Sequence, residues 1–206
     1  MRTLTVIRRI AQVAALAATA AAISATAAPS PASAAPAHAI RYRTPTVPVV
    51  VDGVRYPASG IHRFDGRQLF FVIDTGKASQ LVAYTKHSDF AAAVAAKEAR
   101  IHAQLHPRLA GQYAIYYTND DWSGDSLQVN SGSAISDLRG ALRCNIFHCW
   151  GDFNDDISSL QVNGSQILYT EPNFGGGQIW VGGAGGINLS PYGLDNVASS
   201  VNVLWT

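Results

Sequence analysis

The hydrophobic pattern along the chain changes period three times. From Ile10 to Ala28 it is almost continuously apolar and rich in alanine, behind a basic start at Arg2, Arg8 and Arg9. Small-residue tripeptides follow at Ala25-Thr26-Ala27, Ala32-Ser33-Ala34 and Ala37-His38-Ala39. This order predicts an export signal, so residues 1–39 are read as signal peptide and Ala/Pro-rich leader, with three candidate cleavage points. A Pro/Ala-rich lead-in continues to Pro48.

Residues 40–112 read as a small α+β segment. The β-branched run Val49–Val54 contains a turn signal at Asp52-Gly53, Leu69–Ile73 forms a stronger strand, and Leu81–Tyr84 offers it a partner. Ser88 then caps a predicted helix to Leu105, with Phe90, Val94, Ile101 and Leu105 along one stripe, before Pro107 and Gly111 end it. Beyond Gly111 the helical period vanishes. Short β-rich runs recur at 113–117, 126–129, 159–162, 166–169, 178–181 and 200–204, separated by Gly, Asn, Asp and Ser. That rhythm predicts an all-β sandwich or barrel.

Charge divides at the same place. Residues 40–112 carry ten Lys and Arg against five acids, a net of +5, whereas residues 113–206 carry Arg139 and Arg143 against nine acids, a net of −7. An acidic domain of this kind disfavours nucleic acid as its partner and leaves room for a metal cation. No second apolar run has membrane length, so the exported chain is expected to have no membrane span and to be a monomer. Cys144 and Cys149 are the only cysteines, and in an exported chain they are read as a disulfide. Closing so short a loop contributes about 2 kcal/mol in the chain-entropy model. His102 and His106 stand four apart on the helix, but Ala103 takes the place where a zinc protease needs Glu. Two solvated histidines near a helix C-terminus explain that pair without a metal.

The most informative feature is a duplication within the acidic segment. Tyr117, Trp122 and Gly124 repeat as Tyr169, Phe174 and Gly176, with identical spacing. A folded-over hairpin suits that spacing, two rings covering its base and the glycine taking a backbone conformation closed to other residues. Asn154-Asp155-Asp156-Ile157-Ser158-Ser159 repeats as Asp195-Asn196-Val197-Ala198-Ser199-Ser200. Each copy puts two amide or carboxylate side chains, two spacers and two hydroxyls before a strand. Mixed oxygen donors packed in a turn suit Ca²⁺, while an Asx turn would account for one copy without an ion. Two copies matched to two aromatic hairpins favour calcium.

These doubled motifs resemble those of the βγ-crystallins, in particular their microbial calcium-binding members. The resemblance covers residues 113–206 and implies an all-β C-terminal domain: two Greek-key motifs forming a βγ-crystallin-like sandwich, preceded by the small α+β segment and the signal peptide. It also implies two Ca²⁺ sites built jointly by the two loops. The hydroxyls of Ser158 and Ser199, the main-chain carbonyls of Asp156 and Val197, and side chains among Asn154, Asp155, Asp195 and Asn196 would be the ligands. Carbonyls near Asn119 and Glu171 would add to them. One departure stands out: 37 residues separate Tyr117 from Asn154, but only 26 separate Tyr169 from Asp195. The surplus holds the Cys144–Cys149 loop.

A secreted, non-enzymatic calcium-binding protein is therefore the leading functional expectation. Two Ca²⁺ would take residues 113–206 from −7 to −3. The alternative is a proteinase inhibitor or killer-toxin-like protein of the same fold, acting on an extracellular protein target through the disulfide loop. A hydrolase lacks support, since neither a nucleophile elbow nor a zinc-protease motif occurs.

Overall fold

Asp52 and Gly53 both take left-handed backbone angles (φ 49° and 82°), which closes the hairpin between β1 (Val49–Val51) and β2 (Val54–Tyr56). The computed structural model describes residues 40–75, 79–105 and 113–204. The expected signal and leader at 1–39 lie outside the described residues, as does His106 of the histidine pair. After β2 come β3 (Phe70–Asp74), β4 (Leu81–Tyr84) and one helix, α1 (His87–Leu105). The second half supplies β5 (Tyr113–Asn119), β6 (Ser123–Asn130), β7 (Ala134–Ile135), β8 (Leu142–Cys144), β9 (Cys149–Asp152), β10 (Ser159–Glu171), β11 (Gly175–Asn188) and β12 (Ser200–Val203). α1 begins at His87, so Ser88 lies inside the first turn rather than at the cap, its hydroxyl donating to Asp89 Oδ1. No helix among the described residues is long and apolar enough to cross a membrane.

The two halves of the duplication exchange strands. β10 pairs with β5 along residues 159–163 and with β12 along 166–169, so it serves two sheets in turn. β11 lies antiparallel to β10 along its whole length, and β7 of the first unit crosses to pair with β12 of the second. Both long strands turn from one sheet to the other where Gly164 faces Gly183, and there the backbone takes φ of 117° and 123°. Side chains other than glycine rarely adopt such angles, so the bend requires glycine on both strands. Leu160, Leu168, Ile179, Ile187, Leu189 and Val201 fill the space between the sheets, each at most 6% exposed.

The boundary expected at residue 112 is not a boundary of the sheet. β3 pairs in parallel with β11, Phe70 opposite Gln178 through Asp74 opposite Gly182, and β4, β1 and β2 continue the same sheet outward. The reason lies in β3, which is apolar on both faces. Leu69, Phe71 and Ile73 enter the core shared with the second half, while Phe70 and Val72 join Phe90, Ile101 and Trp180 beneath α1. A strand buried on both sides reads as a continuous apolar run and suits a parallel, covered position. Trp180 has no exposed surface, and its indole nitrogen donates to Glu98 of α1 at 2.7 Å. Residues 40–112 thus extend the second sheet instead of standing beside it.

Candidate metal centre

The repeated hairpins come out as matched backbone devices. Asp121 and Trp122 have φ of 57° and 59°, and Asn173 and Phe174 have 57° and 62°. Gly124 and Gly176 follow at 81° and 71°, where a Cβ would lie 2.4 Å from Thr118 Oγ1 in one copy and from Thr170 Oγ1 in the other. Those threonine hydroxyls accept the amides of Asp125 (3.0 Å) and Gly177 (2.8 Å). In the second copy, the Tyr169 and Phe174 rings meet edge to face with centroids 5.4 Å apart.

Each hairpin is tied to the hydroxyl that ends its motif. Ser159 Oγ donates to Asn119 O (2.6 Å) and accepts Trp122 N (3.1 Å). Ser200 Oγ donates to Glu171 O (2.8 Å) and accepts Phe174 N (3.1 Å). The carbonyls near Asn119 and Glu171 are therefore engaged by these serines.

The preceding serines cross between the loops. Ser158 Oγ donates to Asn196 Oδ1 at 3.0 Å, and Ser199 Oγ donates to Asp155 Oδ1 at 3.2 Å. Main-chain bonds repeat the exchange: Asp155 N donates to Ala198 O and Asn196 N to Ile157 O, each at 2.9 Å. Asp155 and Asn196 take left-handed angles, φ 52° and 56°, which turn both side chains back across the gap. Ser158 and Ser199 are 8% and 4% exposed, so these are largely desolvated contacts. The structure thus brings Asp155, Ser158, Asn196 and Ser199 into two reciprocal crossings. Asn154 borders the Asp155–Ser199 crossing, the first along the chain, its Nδ2 donating to Asp155 Oδ2 at 2.9 Å.

The carboxylates of Asp156, whose main-chain carbonyl is the expected ligand, and of Asp195 face arginines. The Asp156 carboxylate receives Arg143 Nη1 at 2.7 Å, and Asp195 Oδ2 receives Arg43 Nη1 at 2.9 Å. Val197 is partly buried against the core. Asp155, Asn196 and Val197 line a cavity of about 420 Å³ whose opposite wall is formed by Ile40, Tyr42 and Arg43. Sequence reasoning missed Arg43, which stands 152 residues from its partner, and Thr170, whose carbonyl also accepts from Ser199 (3.3 Å).

Whether a cation fits can be judged from the donors. Among the described residues no three His, Cys, Asp or Glu side chains gather around one point. A shell here would draw on carboxylate, amide, hydroxyl and main-chain oxygens together, as Ca²⁺ accepts and a zinc-type centre does not. Asn154 Oδ1 is buried without a hydrogen-bond partner. Such an acceptor is costly unless something binds it, so the donor set suits an oxygen-seeking cation at the first crossing.

The insertion forms a separate finger. β8 and β9 pair only with each other and are joined by the Cys144–Cys149 disulfide. Asn145 Oδ1 accepts the amides of Phe147 and His148, each at 2.8 Å, which fixes the tip. Arg143 and Trp150 fasten its base to Asp156 and Asp125. Ile146 and Phe147 stand 88% and 87% exposed at the end.

No protein-family model matches the chain, and no curated protein matches it. Solved structures do match. A βγ-crystallin from Ciona intestinalis is 22% identical, with a TM-score of 0.35 over 44% of this chain and 98% of its own. One from an archaeon is 24% identical, with a TM-score of 0.34 over 46% of this chain and all of its own. A structure from a study of the evolution of the eye-lens βγ-crystallin domain fold is 21% identical, with a TM-score of 0.36 over 45% of this chain and 85% of its own. The doubled hairpins and the exchanged third strand are features of this chain itself. Residues 113–204 form two Greek-key units with exchanged third strands, the βγ-crystallin-like arrangement that the doubled motifs resemble. The finger lies between the third and fourth strands of the first unit, where the second unit has a shorter connection, which accounts for the unequal spacing of the two motifs.

Proposed function

We propose that the protein is a secreted, non-enzymatic calcium-binding protein whose βγ-crystallin domain holds Ca²⁺ at the two crossings between its loops. The reciprocal pairing of Asp155 with Ser199 and of Asn196 with Ser158 carries this reading. Each crossing draws one oxygen-bearing side chain and one hydroxyl from different loops, so an ion bound at either would cross-link sequence-distant turns. Bound Ca²⁺ would neutralise the Asp155 carboxylate, and a concentration a hundredfold above Kd would add about 2.7 kcal/mol per site to stability. Asp155, Asn154, Ser199 and the Thr170 carbonyl would serve the first crossing; Asn196, Ser158 and neighbouring carbonyls would serve the second. Export is supported by the basic, alanine-rich start of the sequence and by the disulfide. Calorimetric titration of the chain freed of its signal should show heat with Ca²⁺ and much less with Mg²⁺, which sheds water reluctantly. Absence of calcium heat would overturn this reading.

The finger supports a second reading, an inhibitor or toxin acting on an extracellular protein target. Two adjacent apolar side chains almost wholly in water, on a disulfide-closed turn, are preorganised for a partner's pocket. A panel of secreted endopeptidases should then be inhibited by the wild type but not by an Ile146→Asn/Phe147→Asn variant. Equal behaviour of the two proteins would discard it.

A further inference from the structure

We infer that Arg43 is a resident counter-cation of the second clamp loop and that it makes the two calcium sites unequal, the Asp155–Ser199 crossing filling first. This rests on the calcium reading above. The two loops contain three carboxylates: Asp155, Asp156 and Asp195. Arg143 holds Asp156, and Arg43 holds Asp195 through its carboxylate (2.9 Å) and approaches its main-chain oxygen (3.4 Å). Asp155 has no ion pair among the described residues: Ser199 Oγ and Asn154 Nδ2 donate to its oxygens, and Arg139, within electrostatic reach of it, is itself paired with Asp137. The first crossing therefore offers an incoming cation a carboxylate that no arginine or lysine among the described residues holds directly. The second offers the neutral amide of Asn196, and the carboxylate beside it already faces a guanidinium.

Arg43 does not rest there by chance. Its backbone is held on both sides. Tyr42 donates its hydroxyl to Arg67 O (2.7 Å) and accepts Leu69 N (2.8 Å), while Thr46 N donates to Pro191 O (2.8 Å). Gly193, at φ 67°, lets the strap lie close; a Cβ there would come 2.7 Å from Arg43 O. The strap forms one wall of the cavity that Asp155 and Asn196 line. The Arg43 side chain is 58% exposed, so the pair is screened and a divalent ion can displace it. It weakens the second site without closing it.

The test is calorimetric titration with Ca²⁺ of the wild type, Arg43→Gln and Arg43→Lys. The wild type should bind in two steps about tenfold or more apart, since a carboxylate and an amide differ by a full charge at contact distance. Arg43→Gln should strengthen the weaker step about two- to fivefold, the range an exposed ion pair allows, and leave the stronger step unchanged. Arg43→Lys should behave as the wild type. Melting in chelator, with the glutamine variant still cooperative, establishes that it folds. Two equal steps in the wild type, or an unchanged weaker step in Arg43→Gln, would overturn the role of Arg43 while leaving calcium binding standing. No heat in any of the three proteins would overturn both.

Discussion

Replacing Ser199 by alanine separates what the crossing contributes without an ion from what it contributes with one. Ser199 is 4% exposed and its single hydroxyl hydrogen is shared between Asp155 Oδ1 (3.2 Å) and Thr170 O (3.3 Å). Leaving a buried acceptor unsatisfied costs about 1–3 kcal/mol. Asp155 keeps a donor from Asn154, and both lost bonds are long, so the lower part of that range applies. A loss of about 1–2 kcal/mol in chelator corresponds to roughly 2–8 °C in a domain of this size. With calcium a hundredfold above Kd, the wild type should gain about 2.7 kcal/mol from the first site alone. On the calcium reading proposed above, the alanine variant would lose one ligand of that site, so its calcium-induced rise in Tm should fall below half of the wild-type rise. Calorimetric melts of both proteins, in chelator and in excess Ca²⁺, supply the four numbers. A full calcium rise in Ser199→Ala would show that the hydroxyl is no ligand. An unchanged melt in chelator would show that the crossing contributes nothing by itself.

Ser165 provides the contrast: it is 1% exposed and its hydroxyl has no partner, so Ser165→Ala should be neutral or stabilising by up to about 1 kcal/mol, and a urea midpoint clearly below wild type would contradict this. Reduction of Cys144–Cys149 should cost about 2 kcal/mol or less, because Arg143 and Trp150 still fasten the finger; two free thiols in mass spectra of non-reduced protein would refute the bond itself. Burial raises the Tyr42 hydroxyl from 10.0 to about 12, with Leu69 N opposing and Asp65 adding to the shift. The folded chain thus favours the neutral phenol, a contribution intact below pH 10 and lost as pH rises from about 10 to 12. Tyr42→Phe should flatten part of the alkaline loss of Tm, and an identical pH profile would exclude the residue. Finally, residues 113–206 expressed alone should aggregate or melt well below the parent, because removing β3 uncovers Trp180 and opens a sheet edge along 178–182; a melt equal to the parent's would show that the edge is harmless.

What the sequence makes legible is what local spacing controls. The hairpin needs its aromatic, second aromatic and glycine at fixed intervals because the backbone must reverse within them, and the left-handed angles of Trp122/Gly124 and Phe174/Gly176 fall on those residues. The clamp motif is legible for the same reason, since Asp155 and Asn196 must turn back one after another with their serines three residues on. β1, β3 and β4 are visible as runs, but their place is not. A parallel partner more than a hundred residues away leaves no local mark beyond the double-faced apolarity of Phe70-Phe71-Val72-Ile73. That run reads equally as a strand of a small separate core, and the charge division at 112 reinforces such a boundary. Arg43 is harder still, because an arginine in a Pro-rich lead-in carries no pattern that ties it to Asp195.

The opposed charges of the two halves follow from how they are joined. Net +5 and net −7 would describe two independent bodies if each half closed its own core. They do not: β3 places its side chains in the core of the acidic half, and α1 covers Trp180 on the far face. Once apolar burial fixes that junction, a cation of the first half comes to lie against a carboxylate of the second. Arg43 reaches Asp195 in this way, and it does so at the rim of the cavity that the clamp side chains line. Arg143, from within the acidic half, does the same for Asp156 while anchoring the finger. These loops are therefore crowded with carboxylates in sequence but only partly so in space, and the one without a direct ion pair among the described residues is Asp155. Its carboxylate accepts from the Asn154 amide and the Ser199 hydroxyl, so the carboxylate without a direct ion pair and the residue whose buried Oδ1 lacks a partner among the described residues meet at one crossing.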